Sequence, residues 1–303
     1  VKSKVLILTI LFSIFFYKVF AQFEDSKPYI QNFKVTDYSA SDQNWDIIQD
    51  NRGLIYVANS EGVLEFDGHS WKLISNTNKS AVRSLAKSDD GKIYVGAQAE
   101  LGFLSPDSLG NIQYVSLIDK IPTEYTDFKD VWSVHCIGDS LFFVTYEYLF
   151  FIDIKKDSVF KVISTENKFH TSFVVKNKLF IREHKSGLKY FLNDSLYFIK
   201  NGDFFSNIFV FGLFQNSDNS LTIITRDEGF YKYYSYKSSI SDTILLFDTK
   251  LQTIASDYLI YCVTQLSDGR YVFGTRNNGI FITDENFNLH QWINKDNGLS
   301  DNL

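Results

Sequence analysis

The chain has 303 residues, 45% of them hydrophobic and 17% aromatic, with 29 Phe and 18 Tyr against only 3 Pro. That is ample for a large core, and aromatics at this density suit pleated, half-buried surfaces, so an all-β fold is expected. The formal charge of −6, with no basic run anywhere, argues against a nucleic-acid surface.

The first element in chain order is an export signal over residues 1–21. Lys2 and Lys4 supply a positive start, an apolar stretch follows to Phe16, and Val19-Phe20-Ala21 precedes a cut at Gln22. The stretch is shorter than the roughly 20 residues a helix needs to cross a bilayer, so a cleaved signal is expected over an anchor. No Cys follows for lipoprotein processing. Cleavage removes Lys2, Lys4 and Lys18 and no acid, taking the formal charge from −6 to −9. The location this predicts is the periplasm.

Residues 22–43 read as a lead-in, and from residue 44 a phrase recurs: tight polar turn, aromatic-rich strand, second turn, strand. It stands as Asn51-Arg52-Gly53-Leu54-Ile55-Tyr56-Val57, then Asp90-Gly91-Lys92-Ile93-Tyr94-Val95-Gly96, and later Asp268-Gly269-Arg270-Tyr271-Val272-Phe273-Gly274. Strands are expected at 45–48, 54–58, 63–66 and 71–74 in unit one, and at 82–85, 92–95, 102–104 and 112–117 in unit two. Unit three has 131–136, 141–145, 149–152 and 159–163; unit four has 172–175, 179–182, 187–191 and 196–199. Unit five has 209–214, 221–225, 229–233 and 244–247, and unit six 260–266, 271–274, 279–283 and 289–293. Four short strands about every 40 residues are the signature of a β-propeller. Gly, Asn and Asp in the turns tolerate the positive φ that hairpins need.

After unit six the chain reads Asp296-Asn297-Gly298-Leu299-Ser300-Asp301-Asn302-Leu303, comparable with the approach to unit two at residues 80–85. The expectation is therefore a β-propeller over 44–303 with about six blades present and a seventh or more truncated, since an open edge is a pairing liability. Val1 in a chain without Met reads as an alternative start or a cut end. Cys136 and Cys262 fall at non-matching places in different units, and two buried thiols on inner strands are expected in preference to a disulfide.

These residues resemble the two-component regulator propeller family of periplasmic sensors. The family phrase matches residues 53–67, 91–105 and 269–284, and 296–302 matches its link between blades; Asn32-Phe33 and Gln43-Asn44-Trp45-Asp46-Ile47 resemble members with this N-terminus. Units three to five are degenerate, with Tyr146-Glu147-Tyr148 where a Gly turn is expected. The resemblance implies the input portion of a transmembrane regulator, whose full-length form is anchored in the inner membrane. It also implies downstream domains of the same receptor as partners, ending in a histidine kinase or a helix-turn-helix output, and it is compatible with a homodimer.

Other propeller chemistries fail on their motifs. Ser88-Asp89-Asp90-Gly91 lacks the Thr-Trp of a sialidase-type box, no Trp-Asp pair recurs at unit ends, and kelch-type Gly-Gly pairs are missing. His69, His135, His170, His184 and His290 show no metal-ligand spacing, so neither metal nor cofactor is expected. What remains is the face where the turns between second and third strands gather with the links between blades. The residue three or so before the third-strand Gly is Asn59, His184, Arg226 or Arg276, and Trp45, Arg83 and Trp132 begin inner strands on that face. Arg and Trp there suit an anionic or sugar-like ligand, a small molecule or oligosaccharide, through bidentate hydrogen bonds and ring stacking. The expectation is binding without catalysis by this segment. The alternatives are a secreted propeller enzyme acting on glycans, which needs clustered carboxylates drawn from residues such as Glu100, Asp227 and Glu228 or a His-Tyr pair, and a scaffold or adhesin.

Overall fold

The computed structural model describes residues 29–234, 243–247, 251 and 257–302; the expected export signal lies outside them. From Asn32 onward the chain is one compact unit. It opens with a single helical turn, α1 (Val35–Tyr38), and continues through 24 strands in six four-stranded sheets. Blade 1 holds β1 (Asn44–Gln49), β2 (Ile55–Asn59), β3 (Gly62–Phe66) and β4 (Trp71–Ile74); blade 2 holds β5 (Val82–Lys87), β6 (Ile93–Ala97), β7 (Glu100–Pro106) and β8 (Ile112–Ser116). Blade 3 is β9 (Ser133–Ile137), β10 (Ser140–Val144), β11 (Tyr148–Asp153) and β12 (Lys161–Ser164), and blade 4 is β13 (Phe169–Val175), β14 (Lys178–Glu183), β15 (Gly187–Leu192) and β16 (Ser195–Phe198). Blade 5 is β17 (Val210–Gln215), β18 (Leu221–Thr225), β19 (Phe230–Tyr234) and β20 (Thr243–Phe247), and blade 6 is β21 (Ile260–Gln265), β22 (Tyr271–Thr275), β23 (Ile280–Thr283) and β24 (Leu289–Ile293). Each blade is an antiparallel meander with strands adjacent in sequence order, and the six form a ring: a six-bladed β-propeller.

The second strand of blades 1 to 5 is buried nearly end to end, as in β6 and β18, because neighbouring blades cover both of its faces; in blade 6, β22 alternates buried and half-buried residues. The core is accordingly a series of apolar layers between blades rather than one centre. Tyr56, Val63, Val82, Val95 and Leu104 fill the space between blades 1 and 2; Leu101, Val131, Phe143 and Phe150 that between 2 and 3. Phe142, Leu149, Phe169 and Ile181 join blades 3 and 4, Leu188, Phe205, Val210 and Ile223 join 4 and 5, and Phe230, Ile260, Phe273 and Phe281 join 5 and 6. Aromatic rings are wide enough to bridge sheets about 10 Å apart, which explains their abundance in this sequence.

The lead-in has a structural task. Phe33 meets Phe66 and Trp71 edge-on at 5.2 and 5.3 Å between ring centroids, and Tyr38 and Ala40 cover Val57 and Leu64 of blade 1. Asn32 Nδ2 donates to the Gly298 carbonyl at 2.9 Å, so the lead-in ties blade 1 to the segment that follows blade 6.

Polar contacts between inner strands set the blade-to-blade register. Leu85 N–H donates to Asp46 Oδ2 at 2.8 Å, Ser84 Oγ donates to Val131 O at 2.8 Å, and Thr171 Oγ1 donates to Val210 O at 2.8 Å. His135 Nε2 meets Ser172 Oγ at 2.7 Å between blades 3 and 4, and burial pulls this imidazole down to about 4. Both cysteines are on inner strands and unpaired, but only Cys136 is partly covered; Cys262 is exposed, correcting the expectation of two buried thiols. The inner strand β21 is open to solvent over most of its length, from Tyr261 to Gln265.

Candidate functional site at the channel mouth

In each blade the start of the inner strand lies beside the turn between the second and third strands; Asn44 pairs with Asn59, Val210 with Thr225 and Ile260 with Thr275. The pairing is interrupted at one recurring place. A register shift falls between Asn44 and Asp46, Val82 and Ser84, Phe169 and Thr171, Val210 and Gly212, and Ile260 and Cys262. The extra residues are Trp45, Arg83, His170, Phe211 and Tyr261. A bulge leaves one residue unpaired and re-aims its side chain. In blade 3 the counterpart is Trp132, whose N–H donates to Val144 O at 2.9 Å just ahead of β9.

Together these six side chains make a collar around the channel mouth. Trp45 and Trp132 meet edge-on at 5.9 Å, and the Arg83 guanidinium lies 4.1 Å from the first ring centroid and 5.3 Å from the second. Arg83 Nε donates to Asp130 Oδ1 at 2.7 Å, with the two side chains 14% and 17% exposed, so this cation is both stacked and paired. Trp132 also meets Tyr146 at 5.5 Å, and the Lys168 ammonium lies 5.4 Å from the Tyr146 ring. On the other side His170 contacts Phe211 at 5.5 Å, and Phe211 stacks on Tyr261 at 5.9 Å. Tyr261 is 58% exposed.

The second ring of residues comes from the turns. Phe209 is the hub between blades 4 and 5: the guanidinium carbons of Arg226 and Arg182 lie 4.3 and 5.0 Å from its centroid, with His170 at 4.8 Å and His184 stacked at 6.3 Å. Arg226 donates through Nε and Nη2 to Asp227 Oδ2 at 3.1 and 3.0 Å. Arg182 is fully buried and meets no carboxylate among the described residues; Nε donates to Phe205 O at 3.2 Å and Nη2 to Ser206 O at 2.6 Å. Desolvation draws this guanidinium down to about 10, and burial, with the Arg182 and Arg226 charges behind it, draws His170 down to about 4. Gly187 makes the arrangement feasible. It has φ +124°, and a Cβ there would sit 2.2 Å from the Gly202 carbonyl, so only Gly lets the turn at Gly202–Phe205 come close enough to offer its last carbonyls to Arg182.

The residues expected from sequence therefore separate. Trp45, Arg83 and Trp132 are brought together, and His184 and Arg226 share Phe209. Arg276 is exposed on its turn, held through its backbone N–H to the Tyr258 and Leu259 carbonyls. Asn59 is fully buried: Nδ2 donates to Ser41 O and Asn44 Oδ1, and Oδ1 accepts from Glu61 N. It is the register counterpart of Thr225 and Thr275, whose hydroxyls hold the same turn. The turn of blade 1 is one residue shorter, so Ser60, which bonds Gln43 O as Arg226 bonds Phe209 O, is the true partner of the arginines. In blade 3, Thr145 is the counterpart of Thr225 and Thr275, its Oγ1 accepting from Glu147 and Tyr148 N–H; Tyr148 stands at the expected Gly position, and Tyr146 lies against Trp132. Sequence reading missed Tyr146, His170, Phe209, Phe211, Tyr261 and Arg182. Aligning the units on the second inner-strand residue would have shown the collar as Trp, Arg, Trp, His, Phe, Tyr.

A groove of about 430 Å³ lies at the opposite face between blades 1 and 2, lined by Asp50, Asn51, Arg52, Lys92 and Leu104. Its charges are engaged locally: Arg52 pairs with Asp50 at 2.8 Å and Lys92 lies 4.7 Å from the Phe103 ring. Among the described residues no group of three His, Cys, Asp or Glu is placed to hold a metal ion, and no helix is long and apolar enough to cross a membrane.

No protein-family model and no curated protein matches the chain. Solved structures do. The extracellular domain of a hybrid two-component system from B. thetaiotaomicron matches with a TM-score of 0.64 at 18% identity, over 90% of this chain and 38% of that one. The extracellular domain of a one-component system from the same organism matches at 0.60 and 19%, over 86% and 35%. Virginiamycin B lyase from Staphylococcus aureus matches at 0.57 and 14%, over 84% and 86%. At these identities the shared property is the propeller fold, and the chain spans less than two fifths of the two extracellular domains. The propeller expected from the sequence is present, and its fold is that of two-component extracellular domains among others.

Proposed function

We propose that the chain is a ligand-sensing propeller, exported to the periplasm, and the input portion of a transmembrane two-component or helix-turn-helix regulator. The observation that carries this reading is the collar. Five bulges at one register position, each turning an aromatic, imidazole or guanidinium side chain into the mouth, form a stacking surface for a small molecule or oligosaccharide. Trp45, Arg83, Trp132, His184, Arg226 and Arg276 are the proposed contacts, with His170, Phe211, Tyr146 and Tyr261 added. A ligand preferring one arrangement of propeller and downstream domain would shift that equilibrium by its differential affinity.

Likeness to extracellular domains of two-component systems supports sensing. The enzyme alternative has support in the lyase fold, but Glu100 is buried with its Oε1 accepting from Leu101 N, Tyr114 Oη and Ser116 Oγ, as structural carboxylates do. Titrating the protein with a panel of saccharides and metabolites tests the reading. Saturable binding that Trp132→Ala weakens about tenfold or more is expected, since stacking on one aromatic face contributes on the order of 1–3 kcal/mol. No binding to the panel, while the full receptor still responds to a component of it, would remove the mouth from the mechanism.

A further inference from the structure

The collar alone does not distinguish neutral from charged ligands; the sector between blades 4 and 5 does. We propose that this sector holds an oxyanion, the carboxylate, sulfate or phosphate group of a ligand, on Arg226 and His184 with Arg182 buried behind them. The proposal rests on the reading of the mouth as a ligand site and narrows it.

Three observations carry it. First, Arg182 is a buried cation without a counter-ion among the described residues. Its side chain is fully enclosed, and its recorded hydrogen-bond partners are two carbonyl oxygens and an imidazole nitrogen. Buried charges are ordinarily paired, and an anion nearby would complete this one. Second, the neighbours present donors. Arg182 Nη1 can only donate, so its 3.4 Å contact with His184 Nδ1 makes that nitrogen the acceptor and leaves the proton on Nε2. Nε2–H has no protein acceptor among the described residues. Arg226 is engaged by Asp227 through Nε and Nη2, which leaves both hydrogens of Nη1 for a ligand. Third, the acids on these two turns are engaged or exposed. Asp227 answers Arg226, Glu183 is held by Lys189 and Thr165, and Glu228 is exposed, so none of the three neutralises Arg182. Arg226 and His184 both contact the Phe209 ring, and a guanidinium edge and an imidazole N–H are both donors that oxyanions take.

The test is isothermal titration of the protein with sodium sulfate, sodium phosphate and sodium acetate separately, each against sodium chloride at equal ionic strength. At least one oxyanion should bind saturably where chloride does not, and the one that binds identifies the group. Arg226→Gln should weaken that binding about tenfold or more, and His184→Ala should weaken it as well; both leave Arg182 in place and should stay folded. Arg52→Gln, on the opposite face and paired there with Asp50, should leave it unchanged. Binding by none of the three, or binding indifferent to Arg226→Gln and His184→Ala, overturns the proposal. If a neutral saccharide binds in a Trp132-dependent way while no oxyanion does, the mouth remains a ligand site and only its charge preference was misjudged.

Discussion

Two sectors of the channel mouth use the same residue types to opposite ends. On blades 1 to 3, Arg83 lies against Trp45 and Trp132 and is answered by Asp130 at 2.7 Å, so that cluster is electrically complete. On blades 4 and 5, Arg182 and Arg226 share Phe209, but among the described residues only Arg226 has a carboxylate. A stacked and paired arginine stiffens a wall. An arginine buried against carbonyl oxygens leaves a positive field that its surroundings do not cancel.

The largest test of that contrast is acid. His135 and His170 are both held at about 4 by burial, well under the ordinary imidazole value of about 6.5. The unfolded chain therefore takes up protons first as pH falls. The stability these groups contribute is fully present above about pH 6.5 and is lost as pH drops toward 4. Each accounts for about 2–3 kcal/mol. Both residues are on the side of blades 3 to 5, so denaturant melts of wild type at pH 7 and 4.5 should differ more than those of a His135→Gln, His170→Gln variant. Equal differences would sink the assignment.

Next in size is the arginine exchange. Arg182→Leu orphans the Phe205 and Ser206 carbonyls in a closed site and should destabilise by about 3 kcal/mol. Gly187→Ala, which drives a Cβ into the Gly202 backbone at a positive φ, should cost about 2–3 kcal/mol by disturbing the same turn. Arg83→Leu should cost about 2 kcal/mol, because Asp130 is left partly buried without its partner. Adding Asp130→Asn to Arg83→Leu should recover part of that loss, which a double-mutant cycle reads directly. Absence of recovery would mean that the pair is incidental to the wall. The smallest effect is expected for Arg276→Gln, within about 0.5 kcal/mol in a thermal melt, since its side chain is exposed.

Much of the fold was legible because propeller strands are local objects. Turn Gly and Asp residues, apolar runs of four to six and a unit length near 40 placed strands in all 24 positions, with boundaries displaced by a few residues, as at β13, which begins at Phe169 instead of 172. The site was only half legible. Trp45, Arg83 and Trp132 stand out by residue type at strand starts. His170, Phe211 and Tyr261 occupy the same register position but look like ordinary strand aromatics, because a bulge has no residue signature. Asn59 misled for a related reason: one residue fewer in the first blade's turn moves it from the mouth to the turn-holding place of Thr225 and Thr275.

The sequence by itself determined the repeat, the four-stranded unit and the end of the molecule at which Arg and Trp gather, because these depend on period and turn chemistry along a single strand pair. Tertiary structure alone decided which side chains share a ring, which arginine is paired and which is not, and that Asp46, Ser84, His135 and Thr171 couple one blade to the next. Those contacts join residues some 37 to 47 positions apart, and charge balance in a buried site is a property of neighbours in space, which the order of residues in a strand does not record.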